Sequence, residues 1–105
     1  MIVEWSEGAL HDYDDILGYL IQEFGVRVAQ DFQRKLNDRI SILTNFPQAG
    51  KTEFVGKQSK IDYRSLTCKQ YKIVYAQLDD KLVIVSLWNN RRNPAVLRLI
   101  LKNTD

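Results

Sequence analysis

With 105 residues, 45% hydrophobic and 27% charged, the chain has the size and composition of one globular domain, 1–105, and no apolar run long enough to span a bilayer. A single cysteine excludes an internal disulfide, one Cys beside one His falls short of a structural zinc set, and the Met-Ile-Val-Glu start lacks the features of a signal peptide, so the expectation is a cytoplasmic protein with no cofactor. The net charge of +2 is unevenly divided: residues 1–50 carry four Lys or Arg against eight Asp or Glu and residues 51–105 eleven against five, which assigns any polyanionic or acidic partner to the second half.

Ile2 to Trp5 is a short β-like run, and Ser6 then offers an oxygen to the orphan N–H groups of a starting helix. Ala9, Leu10, Tyr13, Ile16, Leu17, Leu20, Ile21 and Phe24 recur at three- and four-residue spacing, the apolar stripe of an amphipathic helix that Gly25 closes. Asp12, Asp14 and Asp15 sit mostly off that stripe and read as a solvated face. His11 lies on the polar side, with no nucleophile at a spacing that would give it a catalytic role. A second helix has Val28, Ala29, Phe32, Leu36, Ile40 and Leu43 as its buried line and Asn45-Phe46-Pro47 as its stop, with Arg34, Lys35 and Arg39 on its outer side as solubilising charges. The short link makes the two helices an antiparallel hairpin.

Gln48 to Lys60 is polar, contains Lys51, Lys57 and Lys60, has no clear period, and reads as a mobile basic loop. Gly50-Lys51-Thr52 has the tail of a phosphate-binding loop, but Asn45 stands where its first glycine belongs. Ile61 to Cys68, Tyr71 to Leu78 and Lys81 to Trp88 then read as three consecutive antiparallel strands, joined by Lys69-Gln70 and by Asp79-Asp80. Arg64 shares its strand face with Leu66 and Cys68, and its permanent charge requires either an external anion or an internal carboxylate such as Asp62. Cys68 itself reads as a small core residue. Along the next strand Tyr71, Ile73 and Tyr75 alternate with Lys72, Val74, Ala76 and Leu78, so both faces carry apolar groups. The second face needs a cover, either the terminal segment or a partner chain. Trp88-Asn89-Asn90-Arg91-Arg92-Asn93-Pro94 combines amides, two guanidinium groups and a helix entry, with Asn93 as N-cap and Pro94 as first helical residue. Val96, Leu97, Leu99, Ile100 and Leu101 make a short terminal helix that covers the second face or yields it to a partner.

Together, Val3-Glu4-Trp5-Ser6 with Ala9 and the Asp-rich helix, Asn45-Phe46-Pro47-Gln48-Ala49-Gly50, Tyr63-Arg64-Ser65-Leu66, Tyr71-Lys72-Ile73-Val74-Tyr75 and Asn90-Arg91-Arg92-Asn93-Pro94 resemble the RelE/ParE superfamily of bacterial type II toxin–antitoxin toxins. The resemblance implies an α+β fold in which an N-terminal strand and an antiparallel helical hairpin pack on an antiparallel sheet in the order β-α-α-β-β-β, followed by a short C-terminal helix. It also implies neutralisation by a cognate antitoxin, in a toxin–antitoxin hetero-oligomer. Tyr71, Ile73, Tyr75, Ile84 and Trp88 are the antitoxin-binding candidates. The long hairpin resembles ParE-like members, which inhibit DNA gyrase by binding; Arg64, Trp88, Asn89, Arg91 and Arg92 are then the target-binding residues. RelE-like members instead cleave mRNA at the ribosome without metal. In that alternative Arg64 and Arg91 neutralise the scissile phosphate, and Lys51, Lys57, Lys60 or Tyr63 must move protons, because Asn89 stands at the end of the last strand and an amide is no general base. A degenerate, non-toxic binding module is the third possibility.

Overall fold

The computed structural model describes residues 1–104. The order is β1 (Ile2–Trp5), α1 (Glu7–Phe24), α2 (Val26–Asn45), β2 (Lys51–Val55), β3 (Asp62–Cys68), β4 (Tyr71–Leu78), β5 (Lys81–Asn89) and α3 (Pro94–Thr104). Ser6 caps α1 by accepting from the Ala9 N–H at 3.0 Å. Gly25 alone turns the chain from α1 into α2, at φ 93°, a conformation open to glycine and strained for other residues. Phe46 and Pro47 end α2 as the sequence implies.

The strands form one sheet in the order β1-β5-β4-β3-β2. The chain is α+β as expected, and β2 through β5 form an antiparallel meander while β1 joins β5 in parallel at the far edge, which makes the sheet mixed. Asp79 takes φ 56° in the β4–β5 turn and Lys69 φ 57° between β3 and β4, the left-handed angles that such tight links require. The loop expected over Gln48–Lys60 is corrected at its centre, where Lys51–Val55 is strand β2. Periodicity hid it for two reasons: it is a polar edge strand of five residues, and its register slips between Thr52 and Phe54, breaking the alternation.

Apolar side chains fill both faces of the sheet. On one, Ala9, Ile16 and Leu20 of α1 and Phe32, Leu36 and Leu43 of α2 pack over Ile73, Tyr75, Leu82 and Ile84. On the other, Leu97 and Leu101 of α3 close over Tyr63, Val74, Ala76 and Trp88. The terminal helix therefore supplies the second cover. Each fully buried leucine contributes roughly 1.5–3 kcal/mol relative to exposure. Not every residue of the apolar stripes goes inside: Leu10, Ile21, Phe24 and Val28 are 42–60% exposed, and the last three place greasy surface near the tip of the helical hairpin.

Candidate functional site

The end of β5 is shaped by a kink that α1 holds in place. Pairing with β4 slips between Val74↔Ser86 and Tyr75↔Ile84, leaving Val85 as the extra residue. Ser6 donates its Oγ proton to the Val85 carbonyl at 2.9 Å, and the Asp12 carboxylate accepts from Ser86 Oγ at 3.1 Å and from the Leu87 N–H at 3.0 Å. The kink changes the phase of the strand. Ile84 and Leu87 both face the helices, and Trp88 is thrown to the α3 side. Asp12 is thus corrected from a solvated charge to a half-buried structural acceptor; the period-3.6 pattern places it off the stripe and is blind to a bulge across the sheet.

Beyond the kink, Asn89, Arg91 and Arg92 border a cleft of about 260 Å³ whose other wall is Asp12, Asp15 and Tyr19. Asn89 Oδ1 accepts from the Arg91 N–H at 2.9 Å, which fixes the turn and engages the amide locally. The Arg92 guanidinium lies 3.9 Å from the centre of the Trp88 ring, a cation–π contact, while Trp88 itself is only 3% exposed under α3. Both arginines are exposed and make no ion pair among the described residues. Four of the five target-binding candidates, Trp88, Asn89, Arg91 and Arg92, are therefore adjacent.

Arg64 is not with them. Along the strands its row is Arg64↔Tyr75↔Ile84, four residues from the row Cys68↔Tyr71↔Asn89, or about 13 Å at the rise of a strand. Its Nε donates to Asp62 at 2.8 Å, and one terminal nitrogen donates to the carbonyls of Gly50 at 2.8 Å and Gln48 at 3.2 Å. Of the two partners open from sequence, an anion or Asp62, the folded chain takes Asp62. Beside it the Tyr75 hydroxyl donates to the Pro47 carbonyl at 2.7 Å and accepts from the Gly50 N–H at 2.9 Å, and burial pushes that phenol above its ordinary range. Arg64 and Tyr75 together fasten the segment from Pro47 to Gly50 to the sheet.

The remaining candidates are dispersed. Lys51 pairs with Glu53 at 3.6 Å on β2, Lys60 turns the chain at φ 63°, Lys57 lies in the same turn, and Tyr63 is buried under α3. Of the antitoxin-binding candidates, Tyr71, Ile73, Tyr75 and Ile84 are at most 6% exposed beneath the helices and Trp88 is beneath α3, so their side chains serve the core in the isolated chain. Tyr75 still lines a small cavity of about 140 Å³ beside Pro47, Asp62 and Arg64, and Tyr71 lines both the cleft at Arg91 and an adjoining apolar groove of about 330 Å³ bounded by Leu20, Val28, Asp31, Phe32 and Lys69. Sequence reasoning missed that groove, whose walls come from α1, α2 and the β3–β4 turn. Cys68 is buried, and burial raises its thiol, consistent with a core role.

Residues 3–94 match the family model described as the ParE toxin of the type II toxin–antitoxin system parDE. The chain belongs to the ParE toxin family. The fold agrees with this assignment: a chain from a chromosomal ParDE toxin–antitoxin system of P. aeruginosa superposes with a TM-score of 0.65 at 16% identity, covering 85% of this chain and 95% of that one. No curated protein sequence matches. The ParE match stops at the first residue of α3, so the helix that covers the second face and buries Trp88 lies almost wholly beyond the shared family segment. No helix among the described residues is long and apolar enough to cross a membrane.

Proposed function

We propose that this ParE-family toxin acts by binding DNA gyrase and that a cognate antitoxin neutralises it. The observation that carries the reading is the ParE match over residues 3–94. The disposition of the basic groups supports binding over phosphodiester cleavage. Arg64 is engaged by Asp62 and two carbonyls, and the Asn89 amide cannot take a proton at neutral pH. Arg91 and Arg92 stand on an exposed rim, where guanidinium groups contribute to recognition of an acidic or phosphate-bearing surface.

For the antitoxin, the groove at Leu20, Val28, Phe32 and Tyr71 offers apolar seats, flanked on the same side by the cations Lys69, Arg91 and Arg92 and the carboxylates Asp12, Asp15 and Asp31. A segment that orders on binding, with apolar anchors and acidic residues placed against the three cations, complements that surface. The neighbour from a ParDE system supports a partner of this kind.

Controlled expression in a bacterium tests the reading. The expected outcome is DNA-damage signalling and filamentous cells, relieved by co-expression of a short acidic-tailed DNA-binding protein encoded beside the toxin. Translated transcripts that acquire new 5′ ends within codons, with gyrase unaffected, would instead assign the protein to ribosome-dependent mRNA cleavage.

A further inference from the structure

The bulge in β2 falls at Glu53, between the pairs Thr52↔Arg64 and Phe54↔Tyr63. A bulge re-aims the side chain it carries. Here it turns a carboxylate inward from an edge strand, until that side chain is 6% exposed. Lys72 Nζ lies 3.1 and 3.3 Å from the two Glu53 oxygens, Ser65 Oγ donates at 3.1 Å, and Lys51 Nζ stands 3.6 Å away. Burial opposes ionisation of Glu53, but the hydrogen bond and charge of Lys72, aided by Ser65 and Lys51, outweigh it and hold the carboxyl below its ordinary range. Two ammonium groups and a hydroxyl thus converge on one carboxylate and leave the cradle with an excess positive charge. Lys72 and Ser65 are enclosed, whereas the Lys51 side chain is 70% exposed, so the cradle opens to solvent on the Lys51 side. Across the sheet Lys72 pairs with Trp88, which carries Arg92 on its ring.

We propose that Lys72, Ser65 and Lys51 form a phosphate-class anion site and that Glu53 occupies it as a built-in ligand, an autoinhibitory contact. The donors that hold a carboxylate also suit phosphate oxygens, with lysine acting as the point charge. An incoming phosphate with about two negative charges matches the two ammonium groups better than one carboxylate does. Displacement is mechanically simple, because β2 is an edge strand paired on one side only and Glu53 already sits where its ladder is broken. Neither the gyrase reading nor the antitoxin groove uses these groups.

Full-length Glu53→Gln and wild type, melted in inorganic phosphate and in chloride of equal ionic strength, test the proposal. The variant is expected to gain about 5 °C in melting midpoint when phosphate stands near ten times its Kd. Wild type is expected to gain nothing specific, and Lys72→Met added to the variant to abolish the gain. A variant that folds only in phosphate also supports the site. A variant that folds in neither salt, or that folds and melts alike in both, overturns the proposal, as does wild type binding phosphate as tightly as the variant. Repeating the comparison with a short single-stranded RNA distinguishes the source of the phosphate: stabilisation by both probes marks a nucleic-acid backbone site, and stabilisation by inorganic phosphate alone marks a site for free phosphate groups.

Discussion

Gly50 has no room for a side chain. A Cβ there would stand 2.6 Å from the Ser65 carbonyl oxygen and 2.7 Å from the Tyr75 hydroxyl, so either the backbone moves or the Tyr75 bonds to Gly50 and Pro47 break. Gly50→Ala is expected to cost about 2–4 kcal/mol in urea denaturation, the range for forced overpacking plus a lost buried hydrogen bond. Asp12 supports the kink in β5 in the same local manner. Asp12→Ala leaves the Leu87 N–H without its acceptor and is expected to cost about 1–3 kcal/mol by the same measurement. Glu53 sets a pH dependence. Because its folded pKa is depressed, the stability it contributes is complete above the unfolded-state value and is lost as pH falls through the lower folded value. Glu53→Gln should therefore flatten that part of the acid limb of a stability profile, whereas an unchanged acid limb would show that the carboxylate is not held as described. Sequence made some of these residues legible and others not. A guanidinium inside a strand must be paired, so sequence calls for a partner to Arg64, but it leaves an external anion and Asp62 both open and only the fold selects Asp62. Asp12 and Glu53 were hidden, because both act through bulges, and a bulge belongs to the pairing of two strands.

At the scale of elements, helices announce themselves most clearly. α1 and α2 follow their apolar stripes, caps and stops, since each signal is contained within one stretch of chain. β2 did not, having few apolar residues and a broken alternation; only β3 beside it makes it a strand. The terminal helix α3 is legible as a helix and as one of two possible covers, but the choice between self-cover and partner required the fold. Its hold on the sheet is apolar, through Leu97 and Leu101, each 1% exposed, and beneath it the Trp88 Nε1–H is buried with no hydrogen-bond acceptor among the described residues. Leu97→Ala is accordingly expected to destabilise the chain by about 2–5 kcal/mol. In a Trp5→Phe background the Trp88 emission should shift to the red as α3 loosens and water reaches the indole. Unchanged emission and stability would mean that α3 contributes nothing to this face.

For the whole molecule, the division of charge between the halves becomes a division of space. The acidic first half supplies β1 and the helical hairpin, and most of the basic second half supplies the meander and α3, so Asp12 and Asp15 face Arg91 and Arg92 across one cleft. The fold was legible nearly end to end because the ParE pattern is spread over it. The site was legible only where residues are contiguous, as at Asn89 to Arg92, since grooves assembled from α1, α2 and a turn leave no local signature. The rim arginines are the part of this arrangement that the proposed function places against the target. DNA supercoiling by purified gyrase, titrated with the folded toxin and with its Arg91→Ala and Arg92→Ala variants, is the most direct measurement: the expected result is loss of supercoiling at saturating toxin, with about tenfold more of each variant required for the same inhibition. Undiminished supercoiling in the presence of saturating, folded wild-type protein would contradict it.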